Sequence, residues 1–174
     1  MIFETERLRA RALTLDDADA CFALYSDPEV TRYVTSNGET VPDVAIIRYL
    51  LEQGMLAPRA DPRFGFWALE RRADDVMVGT VALVDVEGSP GEYELGWHLG
   101  PAHWGQGYAA ESGRALLDYG FKTVGLEQIL ALVHPKNERS LRACERLGMT
   151  RAGTRVHQGY EHVCFVAERA AKGG

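Results

Sequence analysis

Three strand-length stretches follow one another directly between residues 64 and 99, and no other feature limits the possible folds so sharply. Residues 64–70, 76–86 and 92–99 are rich in Val, Leu, Phe, Trp and Tyr, and only Arg-Arg-Ala-Asp-Asp and Glu-Gly-Ser-Pro-Gly separate them. Such short connections join strands antiparallel, because a parallel return needs a crossover of a dozen or more residues. The sheet must therefore contain a meander. The chain then turns through "HWGQGYAA" into a helical pattern over 109–122. The following "QILALV" (128–133) is too short and too continuously apolar for anything but a buried strand. One crossover after a meander makes the sheet mixed, not doubly wound.

The flanks complete the order. A strand over 7–13 alternates Leu8, Ala10 and Ala12 with arginines. Thr14 and Asp17 form a capping box before the helical pattern Ala18, Phe22, Tyr25, which Asp27-Pro28 stops. A second helix, with Thr40 as cap and Pro42 in its first turn, carries the stripe Val44, Ile47, Leu50, Leu51. Downstream, a helix over 138–147 is capped by Asn137 and ended by Gly148, and 151–158 and 160–168 form a hairpin. The expectation is an α+β fold in one domain over 1–174. Its mixed central sheet has about seven strands flanked by about four helices, in the order β-α-α-β-β-β-α-β-α-β-β.

Composition narrows the function. The apolar share is 46% and the charged share 25%, as in globular chains. No apolar run approaches the roughly 20 residues that span a bilayer, and "MIFETERLRA" lacks a leader's apolar core, so a cytoplasmic protein with no membrane partner is expected. Cys21, Cys144 and Cys164 are odd in number and far apart, which suits buried apolar packing rather than a disulfide framework or a metal site. A net charge of −6 argues against a nucleic-acid partner.

The loop Gly105-x-Gly107-x-x-Ala110 fits a dinucleotide fingerprint on its face, since glycines let backbone N–H groups approach a diphosphate at a helix start. That reading also needs an acid about 20 residues on, at the end of the next strand. Glu127 has the separation but precedes the strand, whose far end is Val133-His134. No Lys-Ser/Thr pair follows either, so neither nucleotide reading holds.

"GWHLGPAHWGQGYAAESGRALLDYGF" resembles instead the acyl-CoA pyrophosphate loop of the GNAT N-acetyltransferases, Q/R-x-x-G-x-G/A. Gly107 and Ala109 match its last two fixed positions. Trp104 stands at the first, a departure that looks like the RimJ/RimL-like branch of ribosomal-protein N-acetyltransferases. "TERLRARALTLDDADACFALYSDPEVTRYV" is similar to that branch's N-terminus and "HPKNERSLRACERLGM" to its second CoA segment. The resemblance runs from Glu4 to about Gly153.

The resemblance implies an enzyme that moves the acetyl group of acetyl-CoA to a primary amine, in a protein N-terminus or a small molecule, by direct transfer in a ternary complex. It implies no metal and is compatible with a homodimer, although no seam is legible. A non-catalytic acyl-CoA-binding sensor is the alternative. The backbone from Trp104 through Gly105, Gln106, Gly107, Tyr108 and Ala109 to Ala110 would hold the diphosphate, and that of Trp97, His98 and Leu99 the pantetheine arm. Asn137 would touch the coenzyme, and Ser140 would donate a hydrogen bond to the leaving sulfur. Glu92, Glu94, Gly96 and His98 share one strand face, with Tyr93, Leu95, Trp97 and Leu99 on the other. Of these, Glu94 matches the family base that takes the amine proton, directly or through water. Tyr33 and Trp67 would join Glu94 around the acceptor. Arg139, Arg142 and Arg146 read as a solvated helix face, with Lys136 or Arg142 a candidate for the coenzyme 3′-phosphate.

Overall fold

The computed structural model describes residues 1–34, 38–157 and 159–170. At its centre is the meander: β3 (Gly65–Arg71), β4 (Val76–Asp85) and β5 (Tyr93–Leu99) pair antiparallel, with Trp67 opposite Val81 and Val81 opposite Trp97. On one side β2 (Leu8–Ala12) pairs with β3, and β1 (Phe3–Glu4) with β2. On the other, β6 (Gln128–Val133) lies parallel to β5 after a single crossover. The hairpin of β7 (Thr150–His157) and β8 (Tyr160–Glu168) then completes the mixed eight-stranded sheet β1-β2-β3-β4-β5-β6-β8-β7.

Helices cover both faces. Helix α4 (Tyr108–Tyr119) and α5 (Glu138–Arg146) lie over a core that includes Leu8, Leu69, Val81, Leu95, Leu116, Ile129 and Phe165. Gly113 lets α4 approach closely, since a Cβ there would stand 2.7 Å from Leu147 and 3.3 Å from Trp97. The opposite face carries Leu13 and, from the N-terminal helices, Cys21, Leu24, Tyr25 and Ile47, packed on Ala68. All three cysteines are free and buried.

The expected class and element order hold, with eight strands and five α-helices among the described residues instead of about seven and four. The additional strand is the two-residue β1. The additional helix is α2 (Pro28–Thr31), within the segment expected as a connection. Asp27-Pro28 ends α1 (Ala18–Tyr25) and also starts a new turn: the Glu29 N–H donates to Asp27 at 2.8 Å, and Pro28 sits where a missing N–H costs nothing. Helix α3 (Val44–Leu50) starts later than expected. Asp43, not Thr40, caps it, accepting from the Ala45 N–H at 2.6 Å.

One irregularity positions the site. β4 pairs with β5 through to Leu99, and β8 pairs with β6 from Gln128 to Val133, yet β5 and β6 meet at a single register pair, Glu94 opposite Leu130. Each strand follows its outer neighbour, and beyond Glu94 the two part. Gly100 N–H donates to Val78 O on β4 at 3.0 Å. The alternation of strand bonding therefore turns the backbone of Trp97 and Leu99 the other way, into the gap.

Candidate active site

A cavity of about 440 Å³ opens where β5 and β6 separate. Its walls are Trp97, His98 and Leu99 of β5, the turn from His103 into α4, one face of α5 from its Asn137 cap to Arg146 and the α2 region with Tyr33. Twelve residues expected at a site from sequence meet here: Tyr33, Trp97, His98, Leu99, Trp104, Gly105, Gly107, Tyr108, Ala109, Ala110, Asn137 and Ser140.

The glycine turn has the geometry an anion needs. Gly105 and Gly107 have φ of 74° and 82°, in the left-handed region, and a Cβ on Gly105 would meet nothing within 4 Å. Gly107 is the N-cap of α4, and no side chain caps it. The first N–H groups of the helix thus lack intrahelical partners at its positive end. The turn is braced from outside. The Arg7 guanidinium donates to Gln106 O at 2.9 Å and to Glu111 Oε2 at 2.7 Å, and lies 4.9 Å over the Tyr108 ring. Trp104 Nε1 donates to Leu99 O at 2.8 Å, tying the turn to β5.

Across the cavity, α5 presents Arg139, Arg142, Ala143 and Arg146, a spacing that puts them on one helix face. The arginines are exposed, as expected, but the same face is a cavity wall. Ala143 and Cys144 anchor the helix in the core, and this orientation brings the charges round to the mouth. Arg139 stacks 3.9 Å from the centre of the Trp104 ring. A cation from α5 therefore stands at the loop position that Trp104 leaves without a charge. Asn137 accepts from the Ser140 N–H at 3.2 Å, capping α5 while facing the cavity. Uncapped N–H groups, arginines and an open turn fit a polyphosphate-bearing coenzyme.

The two faces of β5 divide as expected. Leu95 and Leu99 are buried under α4, with Tyr93 and Trp97 packed beside them. On the other face the Tyr25 hydroxyl sits 2.9 Å from both His98 Nδ1 and Thr80 Oγ1. Burial pushes the His98 imidazole down to about 4, so it is neutral near pH 7. Glu94 stands where β5 and β6 part, off the cavity wall, and burial pushes its carboxyl up to about 7 against a smaller opposing effect of Arg155. Glu92 forms a bidentate pair with Arg155 that holds its carboxyl below the usual range.

Besides Glu94, two expected residues lie off the cavity wall. Trp67 is buried under α4, edge-on to Tyr119 at 5.9 Å, because its strand position faces the main core and not the acceptor side. The Gln106 side chain turns back to Ala102 O at 3.0 Å, away from the cavity. Not legible from sequence were Arg155 and His157 of β7 near Glu94, with His162 on β8 and His134 after β6 in line behind them. The alternation Arg155–His157 was legible, but not that β8 inserts between β6 and β7 and carries this face to Glu94. No group of His, Cys, Asp and Glu among the described residues is arranged to hold a metal ion, and none of their helices is long and apolar enough to cross a membrane.

Residues 7–150 match the family model described as an acetyltransferase (GNAT) domain. The chain is 34% identical over 149 residues to the uncharacterized N-acetyltransferase p20 of Bacillus licheniformis, covering 86% of this chain and 82% of the relative. The crystal structure of a GNAT-family acetyltransferase from Bacillus anthracis matches with a TM-score of 0.79 at 26% identity, over 95% of this chain and 96% of that one. The fold is also similar to that of AAC(6')-Ib in complex with ribostamycin and coenzyme A, with a TM-score of 0.77 at 19% identity over 94% of each chain.

Proposed function

Because the chain belongs to the GNAT acetyltransferase family, and is thereby an acetyl-CoA-dependent N-acetyltransferase, we propose that it acetylates a primary amine by direct transfer in a ternary complex, within the RimJ/RimL-like branch. The observation that carries this reading is the parting of β5 from β6 at Glu94, with an uncapped helix start and an arginine row behind it.

The amides of Gly105 to Ala110 and Arg139 bind the diphosphate. Trp97 and Leu99 offer their strand-edge backbone groups to the pantetheine arm, as a further strand would be held. Bound acetyl-CoA supplies the acetyl group, on a thioester whose sulfur departs as a thiol. Asn137 orients the arm, and the Ser140 hydroxyl donates to the departing sulfur. Glu94, ionised above about pH 7, takes a proton from the incoming amine. His98, neutral and bonded to Tyr25, holds that strand face in place.

The acceptor is an amine of a protein N-terminus or of a small molecule. An α-amino group is roughly 10–15% neutral at pH 7 and lysine only about 0.04%, so a single carboxylate suits a low-pKa amine best. In AAC(6')-Ib the fold accommodates ribostamycin beside coenzyme A. The test incubates the protein with acetyl-CoA and a panel of small amines and N-terminal peptides, following free thiol and the acetyl mass on the acceptor. Amine-dependent thiol release with a matching mass shift is expected. Tight coenzyme binding with no thiol released by any panel member would favour a sensor module.

A further inference from the structure

His157 stands beside Glu94 and two further histidines lead away from it, and none of the three lines the coenzyme cavity. His157 Nε2 lies 3.9 Å from Glu94 Oε1, with the two side chains 12% and 19% exposed. The His157 ring meets His162 edge-on at 5.7 Å, His162 meets His134 at 6.2 Å, and His134 lies against Tyr33 at 4.9 Å. Tyr33 is on the cavity wall. A row of imidazoles therefore joins the carboxylate at the parting of the strands to the rim of the site.

We propose that His157 receives the proton that Glu94 takes from the acceptor amine and passes it through His162 to solvent. The inference rests on Glu94 being the base. A protonated amine carries two protons that acetylation must displace. One goes to Glu94 before the nitrogen attacks. The other ends on the departing sulfur when the C–S bond breaks and the C–N bond has formed. Glu94 must shed the first proton before the next turnover, yet its surroundings offer little help. Arg155 is occupied by Glu92, and Leu130 and Cys164 pack as an apolar cluster on the same sheet face.

His157 is placed to accept. Burial and neighbouring His162 lower its imidazole from the ordinary value, as does Arg155, while Glu87 opposes them, so the ring is mostly neutral near pH 7. The 3.9 Å separation exceeds a hydrogen bond, and a small side-chain rotation or one bridging water closes it. His162 continues the path, its Nδ1 3.0 Å from Tyr160 O and its ring perpendicular to that of His134. His157 acts through Glu94 and is in that sense a positioning residue for the base.

Two experiments test this on the whole protein. A ¹H NMR titration follows His157 in the unaltered chain and in E94Q. In the unaltered chain the His157 ring signals should shift a second time as Glu94 ionises near pH 7, a step absent in E94Q, and identical titration curves in the two overturn the pairing. Acetyl transfer is then measured from pH 6 to 9 at increasing imidazole concentration. H157Q should lose about tenfold in kcat with little change in KM for acetyl-CoA, and imidazole should restore most of it. E94Q should gain nothing from imidazole. Normal kcat and pH profile in H157Q, or a loss that imidazole leaves untouched in a variant melting at the normal temperature, overturns the relay alone. If H157Q does not fold, H162Q carries the same expectation at a smaller loss. A parent protein that acetylates no amine overturns the assignment of the reaction, and the relay with it.

Discussion

Burial holds the Glu94 carboxyl up to about 7 from 4.5, so between those values the folded chain keeps a proton that the unfolded chain releases. The stability tied to this proton is fully present below pH 4.5 and is lost as pH rises through about 7. Glu94→Gln should therefore raise the melting temperature at pH 8 and leave it nearly unchanged at pH 4, the difference being on the order of 2–3 kcal/mol. The same variant should lower kcat by about 100-fold at pH 8. That deficit should shrink below pH 6, where the parent carboxyl is itself protonated. A pH-independent ratio of rates would remove Glu94 from the chemistry. At Arg139, stacking and charge act together. Arg139→Ala should weaken coenzyme binding about three- to tenfold, measured by calorimetry, with a smaller penalty at high salt and a partial recovery in Arg139→Lys.

Among the elements, α5 has two tasks that substitutions can separate. Asn137 caps it and faces the cavity, so Asn137→Ala removes the cap at a cost of about 1 kcal/mol and lowers the melting temperature by about 2–4 °C. Aspartate caps equally well but brings a negative charge toward the coenzyme. Asn137→Asp should therefore melt like the parent yet bind CoA at least about tenfold more weakly. Parent-like binding in that variant would restrict Asn137 to its capping role. The elements legible from sequence were those whose signals are local: the Asn137 cap, the Gly148 stop, and the alternation in β2 and β5. Helix α2 was not, because Asp27-Pro28 reads as a stop whether or not one new turn follows. The start of α3 was misread because Thr40, Pro42 and Asp43 all suit a helix start, and only packing decides among them.

The molecule as a whole is two sheet halves meeting at Glu94. The N-terminal half is tied by a largely buried ion network. Glu70 accepts from Arg9 and Arg11 at 2.7 Å each, and Arg11 also grips Asp17 at 2.8 and 2.7 Å, joining β2 and β3 to the turn before α1. Glu70→Ala would leave two guanidinium groups short of a partner, and a loss of about 3 kcal/mol, or about 6–12 °C in melting temperature, is expected. Burial alone would raise the Asp17 carboxyl, but Arg11 and Thr14 hold it below 3.8. Its contribution is present above pH 3.8 and is lost as pH falls through the lowered value, so acid should loosen this half first.

From sequence alone came the meander, the single crossover, the open glycine turn and the carboxylate on β5, since each depends on periodicity, chain length or one residue's backbone freedom. Tertiary structure decided the rest. It alone set β8 between β6 and β7, turned the α5 arginines onto the cavity, sank Trp67 into the core and brought His157 beside Glu94 with two histidines in line behind it. The reason is that a strand's pattern says which residues share its face, while its neighbours in the sheet are chosen by contacts made across the whole chain.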